Sequence, residues 1–323
     1  MKRMSRHYFA AVVIGLSSVH ANAADEGISL TIGAGMASVE DAEVFYAIDT
    51  DKGDAALPAE YDEGDNILID ATAPLSALGL GDSGLRAGLR YQSSKTSTDE
   101  SVGRYDDPAS PCNISPTLGV KDNCWNQGSI DIETEATTLA LYLETDMDVG
   151  ERLTLTPRVG LVEVSFDEER DVGYLYEGGT STLVDDDSSF SGVGLLLGAD
   201  LVQHQEQFFW GAGLEMTQVS STRRRDIVDL EIQTPPGSFS DLNAAQLKSD
   251  VTVTTLTIGA HIGKQFDLSG TPVDVVFAVD HQSMSNILDT RNTQADIYPR
   301  GSLGDKNDSF DTLNYGIQVR TSF

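Results

Sequence analysis

The chain has 323 residues, with 51 acidic against 21 basic side chains and a formal net charge of −30. A polyanion of this strength excludes nucleic acid as a partner, because phosphate would be repelled. No segment reaches about eighteen consecutive apolar residues, which excludes a helical membrane span.

The first element is a leader. Residues 1–23 open with basic Lys2, Arg3 and Arg6, continue through the apolar run Tyr8 to Leu16, and end on the small-x-small triplet Ala21-Asn22-Ala23. This is the pattern of a cleaved secretory signal peptide, with an apolar run too short to cross a bilayer. The chain therefore reads as a signal peptide, 1–23, followed by a single exported domain, 24–323.

Beyond the leader, apolar and polar residues alternate with period two. The first such stretch is GISLTIGAGMAS, with Ile28, Leu30, Ile32, Ala34 and Met36 on one face and Ser29, Thr31, Gly33 and Gly35 on the other. NILIDATA follows a long acidic insert, and LRAGLRYQ sets Leu85, Ala87, Leu89 and Tyr91 against Arg86, Gly88, Arg90 and Gln92. Cys112 and Cys124 then bracket eleven residues of a Pro-, Asn- and Gly-containing stretch, and in an exported chain such a pair is expected to close a loop disulfide. TTLALYLETDM, LTLTPRVGLV, SGVGLLLGADLV, FFWGAGLEMT, TTLTIGAHIG and VDVVFAVDHQ repeat the alternation, and NYGIQVRTSF ends it. In that last stretch Tyr315, Ile317, Val319 and Phe323 share one face, opposite Gly316, Gln318, Arg320 and Ser322.

Connections alternate too. Short links fall near 74–84, 148–152, 203–207 and 264–271, and long polar ones near 39–64, 93–131, 167–189, 219–250 and 283–312. A soluble β-sandwich would also alternate, with its apolar faces packed together. The systematic short/long asymmetry, Gly-rich polar faces and segments of about ten residues favour a closed antiparallel transmembrane β-barrel. The reading predicts about ten strands, eight or twelve being compatible, with short periplasmic turns and long extracellular loops. Pro157 conflicts with a closed ladder and is expected at a bulge or at the lower rim of the fifth strand.

The signal segment through Ala23, the alternating strands and the ending YGIQVRTSF resemble bacterial outer-membrane β-barrel proteins. GLRY and FSGVG resemble short pieces of the Legionella-type major outer membrane proteins. The resemblance implies insertion in the outer membrane of a Gram-negative bacterium, among outer-membrane lipids and lipopolysaccharide. It also implies that the barrel-assembly machinery reads the terminal strand of Tyr315, Ile317, Val319 and Phe323. It sets no oligomeric state.

Parity assigns Arg86, Arg90, Arg158 and Arg320, with Asp70, Glu144, Asp200, Glu215, Asp274 and Asp280, to the inward face. Opposite charges in a narrow lumen are expected to pair across it, since an unpaired charge away from water is costly. The charges read either as a salt-bridged plug or as a narrow pore for small solutes, a porin-like channel. Ten acidic residues between Glu40 and Asp65, and eight between Phe166 and Asp187, offer oxygen ligands suited to Ca²⁺ or Mg²⁺ but lack the spacing of an EF-hand loop. No other cofactor is expected. Arg223, Arg224 and Arg225 are placed where the seventh strand leaves the membrane, suited to lipopolysaccharide phosphates.

A non-enzymatic role is the main expectation. Omptin-like proteases set an acidic pair against an Asp–His pair, whereas Asp280 and His281 are adjacent here and point to opposite faces. The alternative is a hydrolase. His281 and Ser283 share the lipid-facing side, and the segment is similar to the His-x-Ser-Asn motif of lipid A deacylases, although Met284 follows Ser283.

Overall fold

A computed structural model describes residues 27–40, 44–50, 53–59, 63–81, 84–102, 125–176, 181–233, 238–289 and 307–323. The leader and both cysteines, Cys112 and Cys124, lie outside these residues. Thirteen strands follow one another: β1 (Ser29–Glu40), β2 (Val44–Thr50), β3 (Gly53–Ala59), β4 (Gly64–Pro74), β5 (Arg86–Val102), β6 (Trp125–Glu144) and β7 (Met147–Gly150), then β8 (Leu153–Tyr176), β9 (Ser181–Gln205), β10 (Phe208–Gln233), β11 (Ser238–Leu268), β12 (Thr271–Asp289) and β13 (Asn307–Ser322). Pairing runs β6-β5-β4-β1-β13-β12-β11-β10-β9-β8 and closes through β6–β8, a barrel of ten antiparallel strands. Strand β7 is a short flap on β8, and β2–β3 form a separate hairpin. The ten barrel strands are the ten alternating stretches of the sequence.

Turns at the lower rim, the short-turn side, are tight. At the β11–β12 turn, Ser269 and Gly270 both have positive φ, 59° and 86°, as a two-residue hairpin turn requires. Arg152 and Glu206 take φ of 62° and 51° in the neighbouring turns. Pro157 sits where the β6 ladder gives way to β7. Its carbonyl accepts from Thr145 N at 3.4 Å, so its nitrogen faces a stretch that belongs to neither strand. The missing donor falls in a gap at the lower rim.

The expected long loops differ from what is found. Most of 93–102, 125–131, 167–176, 181–189, 219–233 and 238–250 is strand, so β8 to β11 run for 24 to 31 residues. About 9–11 residues of tilted strand cross the hydrocarbon layer. The rest of each strand continues the wall into water. Strand β8 shows why this is hidden in a search for outward apolar residues. Val159 and Leu161 are exposed on the outside with Arg158 and Gly160 inside, whereas above them Glu163, Asp167 and Glu169 point out while Val162, Val164 and Phe166 are buried inside. The side-chain phase never slips; the solvent outside changes. Lipid selects apolar residues on the outer face, and water above it reverses the choice.

The described outer face of the lower barrel is an apolar belt, including Ile67, Ile69, Leu89, Leu141, Leu195, Leu197, Leu214, Ile258, Phe277 and Ile317, all exposed. Near its lower edge Lys264 lies 5.1 Å from the Phe208 ring centroid and 5.2 Å from that of Phe266, an aromatic and cationic rim suited to the membrane–water interface. Tyr315, Ile317, Val319 and Phe323 keep to the outer face of β13, and Phe323 N donates to Ile28 O at 2.9 Å beside the β1–β13 ladder.

Candidate functional site: the charged lumen

Ladder register places one ring of inward charges inside the apolar belt. Arg86 of β5 lies beside Glu144 of β6 and reaches it at 3.0 Å, and it also grips Asp146 at 2.6 and 2.8 Å. Thr156 Oγ1 donates to Asp146 at 2.7 Å. Arg158 lies 3.6 Å from Glu144 and 3.9 Å from Glu215. Arg90 crosses the lumen from β5 to bond Glu215 on β10 at 2.5 Å. In the closed ring four steps separate those strands, so this pair is a strut between opposite walls.

Tyr142 of β6 organises the centre. Its hydroxyl donates to Asp70 at 2.7 Å, and the Arg90 and Arg158 guanidinium carbons lie 5.6 and 5.5 Å from its ring centroid. The ring lies against Gly88, where any Cβ would collide with it. On the far wall His261 Nδ1 is 4.0 Å from Asp200, and Asn314 donates Nδ2 to Asp280 at 3.1 Å while its Oδ1 accepts from Ser94 Oγ at 3.4 Å. Asp274 stands opposite Arg320 in the β12–β13 ladder. A cavity of about 220 Å³ remains among these groups, lined by Asp70, Arg90, Asp200, Glu215, Asp280 and Arg320 among others. The sequence reading placed the charges by parity but did not single out Tyr142, Asp146 or Asn314, which join them. Tyr142 carried the signal, an aromatic residue on the polar parity between Ala140 and Glu144.

Above the cavity an apolar cluster crosses the interior. Phe166, Phe190, Val162, Val164, Val219, Val253, Met284, Ile287 and Phe310 form one buried cluster. Phe166 of β8 meets Phe310 of β13 edge to face, with ring centroids 5.2 Å apart. Those two strands are diametrically opposed in a ten-strand ring, so the barrel is filled across its whole width.

A second set of charges lies in the upper barrel. Arg225 grips Asp186 through Nε and Nη2 at 2.8 and 2.7 Å, and Arg170 reaches Glu168 at 2.7 Å and Asp186 at 3.9 Å. This corrects the expectation for the arginine triplet. Arg223 and Arg225 are only 3 % and 2 % exposed, point into the barrel and cannot reach lipopolysaccharide. Strand parity leaves Arg224 alone outside, opposite Lys248.

His281 and Ser283 are half-buried on the outer side of β12, opposite Leu313 and Asp311 of β13. Among the described residues no group of His, Cys, Asp and Glu has the arrangement of a metal site. Outside the belt the carboxylates crowd one another. Burial, then Glu135, pushes the Asp167 carboxyl up from its ordinary range, and burial, then Asp185 and Glu169, does the same at Asp187.

No family model matches the chain, and no curated protein matches it. Several solved structures align with most of its length at low similarity. The outer membrane protease OmpT from Escherichia coli aligns with 94 % of this chain and 99 % of its own, at 9 % identity and a TM-score of 0.44. A major outer membrane protein from Thermus thermophilus covers 91 % of this chain and 99 % of its own, at 12 % identity and a TM-score of 0.34. OprG from Pseudomonas aeruginosa covers 92 % of this chain and 97 % of its own, at 10 % identity and a TM-score of 0.29. The fold itself is a closed ten-strand antiparallel β-barrel with an apolar outer belt. The lumen that this barrel encloses holds a charged, cavity-bearing floor and an apolar ceiling.

Proposed function

We propose that this outer-membrane barrel rests closed, as a plugged barrel that displays an acidic extracellular wall, and is not a standing open pore. The Phe166–Phe310 contact carries the reading, because this edge-to-face pair between opposed strands, seated in a buried apolar cluster, lies across the axis that water would have to follow. The Arg90–Glu215 strut below it supports the same reading. Arg224, exposed opposite Lys248, is the member of the arginine triplet that would contact lipopolysaccharide phosphates. The test is current through the refolded barrel in planar lipid bilayers. The expected trace is silent at rest; a steady, ohmic open current from the wild type overturns the closed reading.

A second reading, a lipid-directed hydrolase, is favoured by one observation. Asp311 lies directly opposite Ser283, with His281 two residues along the same outer face, and Asp311 Oδ1 is buried without a hydrogen-bond partner among the described residues. In this reading Asp311 orients His281, which takes the Ser283 proton as Oγ attacks an acyl ester carbonyl. The leaving alcohol then receives that proton, and water releases the acyl chain. Fatty acid released from lipid A by the wild type but not by Ser283→Ala supports it, and equal release from both excludes it.

A further inference from the structure

Strand β11 runs well above the top of its ladder with β12. Among the described residues, backbone pairing there stops at Thr254–Ser285, although β11 continues upward for sixteen residues, to Ser238, paired with β10. At the break Asn286 takes a left-handed φ of 62°, and the β12–β13 register resumes only at Leu288–Asp308. This bulge turns two consecutive residues, Ile287 and Leu288, into the core at 0 % and 5 % exposure, where plain alternation would have sent one of them out. Through them β12 contributes part of the apolar ceiling.

Side chains hold the seam where the ladder is missing. Ser285 Oγ donates to Thr254 O at 3.1 Å, and Asn286 Nδ2 donates to Thr252 O at 3.2 Å. From inside, Arg223 of β10 reaches past β11 and donates Nη1 to the carbonyls of Asn286, Ile287 and Leu288 at 3.4, 3.3 and 2.8 Å. One buried guanidinium thus clasps the three residues of the bulge. The lumen cavity begins just below, since Thr255, Thr257, Asp280 and Gln282 of the same two strands line it.

We infer that the β11–β12 seam is a gate and Arg223 its latch. Releasing the latch lets the Ile287–Leu288 segment leave the core, and the cavity then opens sideways to the outside. The solutes that this route suits are small and polar or charged, because the cavity presents carboxylates, guanidinium groups, amides and hydroxyls. The inference rests on the closed resting barrel and adds to it a way of opening.

The experiment compares single-channel records of the refolded full-length wild type with Arg223→Met, which keeps the apolar stem and removes the donors. Open probability is expected to rise at least about tenfold, as the loss of charge-assisted hydrogen bonds implies. Asn286→Gly keeps the left-handed backbone and removes only the bond to Thr252, so a smaller rise is expected from it. Lys95→Met, on the outer face of β5, should match the wild type. Heat-modifiable gel migration identifies folded protein. If Arg223→Met folds and stays as silent as the wild type, the latch is overturned. If it does not fold, Asn286→Gly decides, and wild-type behaviour there overturns the gate. The wild-type trace alone tests the closed resting state; the ratio of variant to wild type tests the latch.

Discussion

At the scale of single residues, the lumen network is a case where charges are arranged before they are stabilising. Arg90 and Glu215 are mostly shielded from water, with side-chain exposures of 13 % and 16 %, and each depends on the other for compensation. Arg90→Met should lower the unfolding free energy in urea by up to about 3 kcal/mol, because Glu215 then keeps only the more distant Arg158, 3.9 Å away. The double variant Arg90→Met/Glu215→Leu should recover most of that loss; no recovery would mean that the pair is not coupled. Tyr142→Phe removes the hydrogen bond to Asp70 alone and should cost about 1–3 kcal/mol in the same measurement. Gly88→Val acts on the ring itself, since the new side chain would occupy its place, and it should cost at least as much as Tyr142→Phe.

At the scale of the strand, the outer wall above the membrane sets like charges side by side. Glu133, Glu169, Asp187 and Asp226 occupy one row across β6, β8, β9 and β10, and Asp131, Asp171 and Asp185 occupy another. Like charges directly opposite on neighbouring strands are destabilising. Burial, then Asp185 and Glu169, raises the Asp187 carboxyl above the ordinary range, and burial, then Glu135, raises that of Asp167 beside the rows. A group whose pKa is higher folded than unfolded contributes stability below its unfolded pKa of about 4, and that contribution is lost as pH rises through the folded value. The unfolding midpoint of Asp187→Asn should therefore exceed that of the wild type at neutral pH, with the difference shrinking as pH falls towards 4. A difference that grows on acidification would contradict the charge-row account.

The same strands show how much was legible in the sequence. Ten outward apolar stripes gave the strand count, because lipid imposes one rule on every wall. Inward charges were found by parity for the same reason, Arg86, Arg90 and Arg158 falling opposite Leu85, Leu89 and Val159. The upper barrel was not legible as strand. Its outward face is acidic like a loop, and its apolar residues, Val162, Val164 and Phe166, had moved to the other parity. The neighbouring pair Leu161–Val162 marks the change of rule. Arg223 and Arg225 were misplaced through the same omission, since a strand that continues upward turns them inward. The Arg90–Glu215 strut joins residues 125 positions apart and depends on barrel closure, which periodicity alone does not encode.

At the scale of the whole molecule, the barrel is one wall through two media, and its interior changes where the medium outside changes. Polar groups fill it where lipid lies outside; where water lies outside, an apolar cluster crosses it beside the buried Arg170, Asp186 and Arg225 charges. The upper core is what closes it. Phe310→Ala removes one half of the Phe166–Phe310 contact and should cost about 3–5 kcal/mol of stability while raising conductance. A variant that loses the stability without any rise in current would separate packing from closure. The change of medium can be read directly with spin labels placed singly along the outer face of β8, at 155, 159, 161, 163, 165, 167 and 169. The account predicts collisions with oxygen, as in lipid, through Leu161, and with a water-soluble relaxation agent from Glu163 upward. Lipid-like accessibility continuing to Glu169, or water-like accessibility already at Val159, would contradict it.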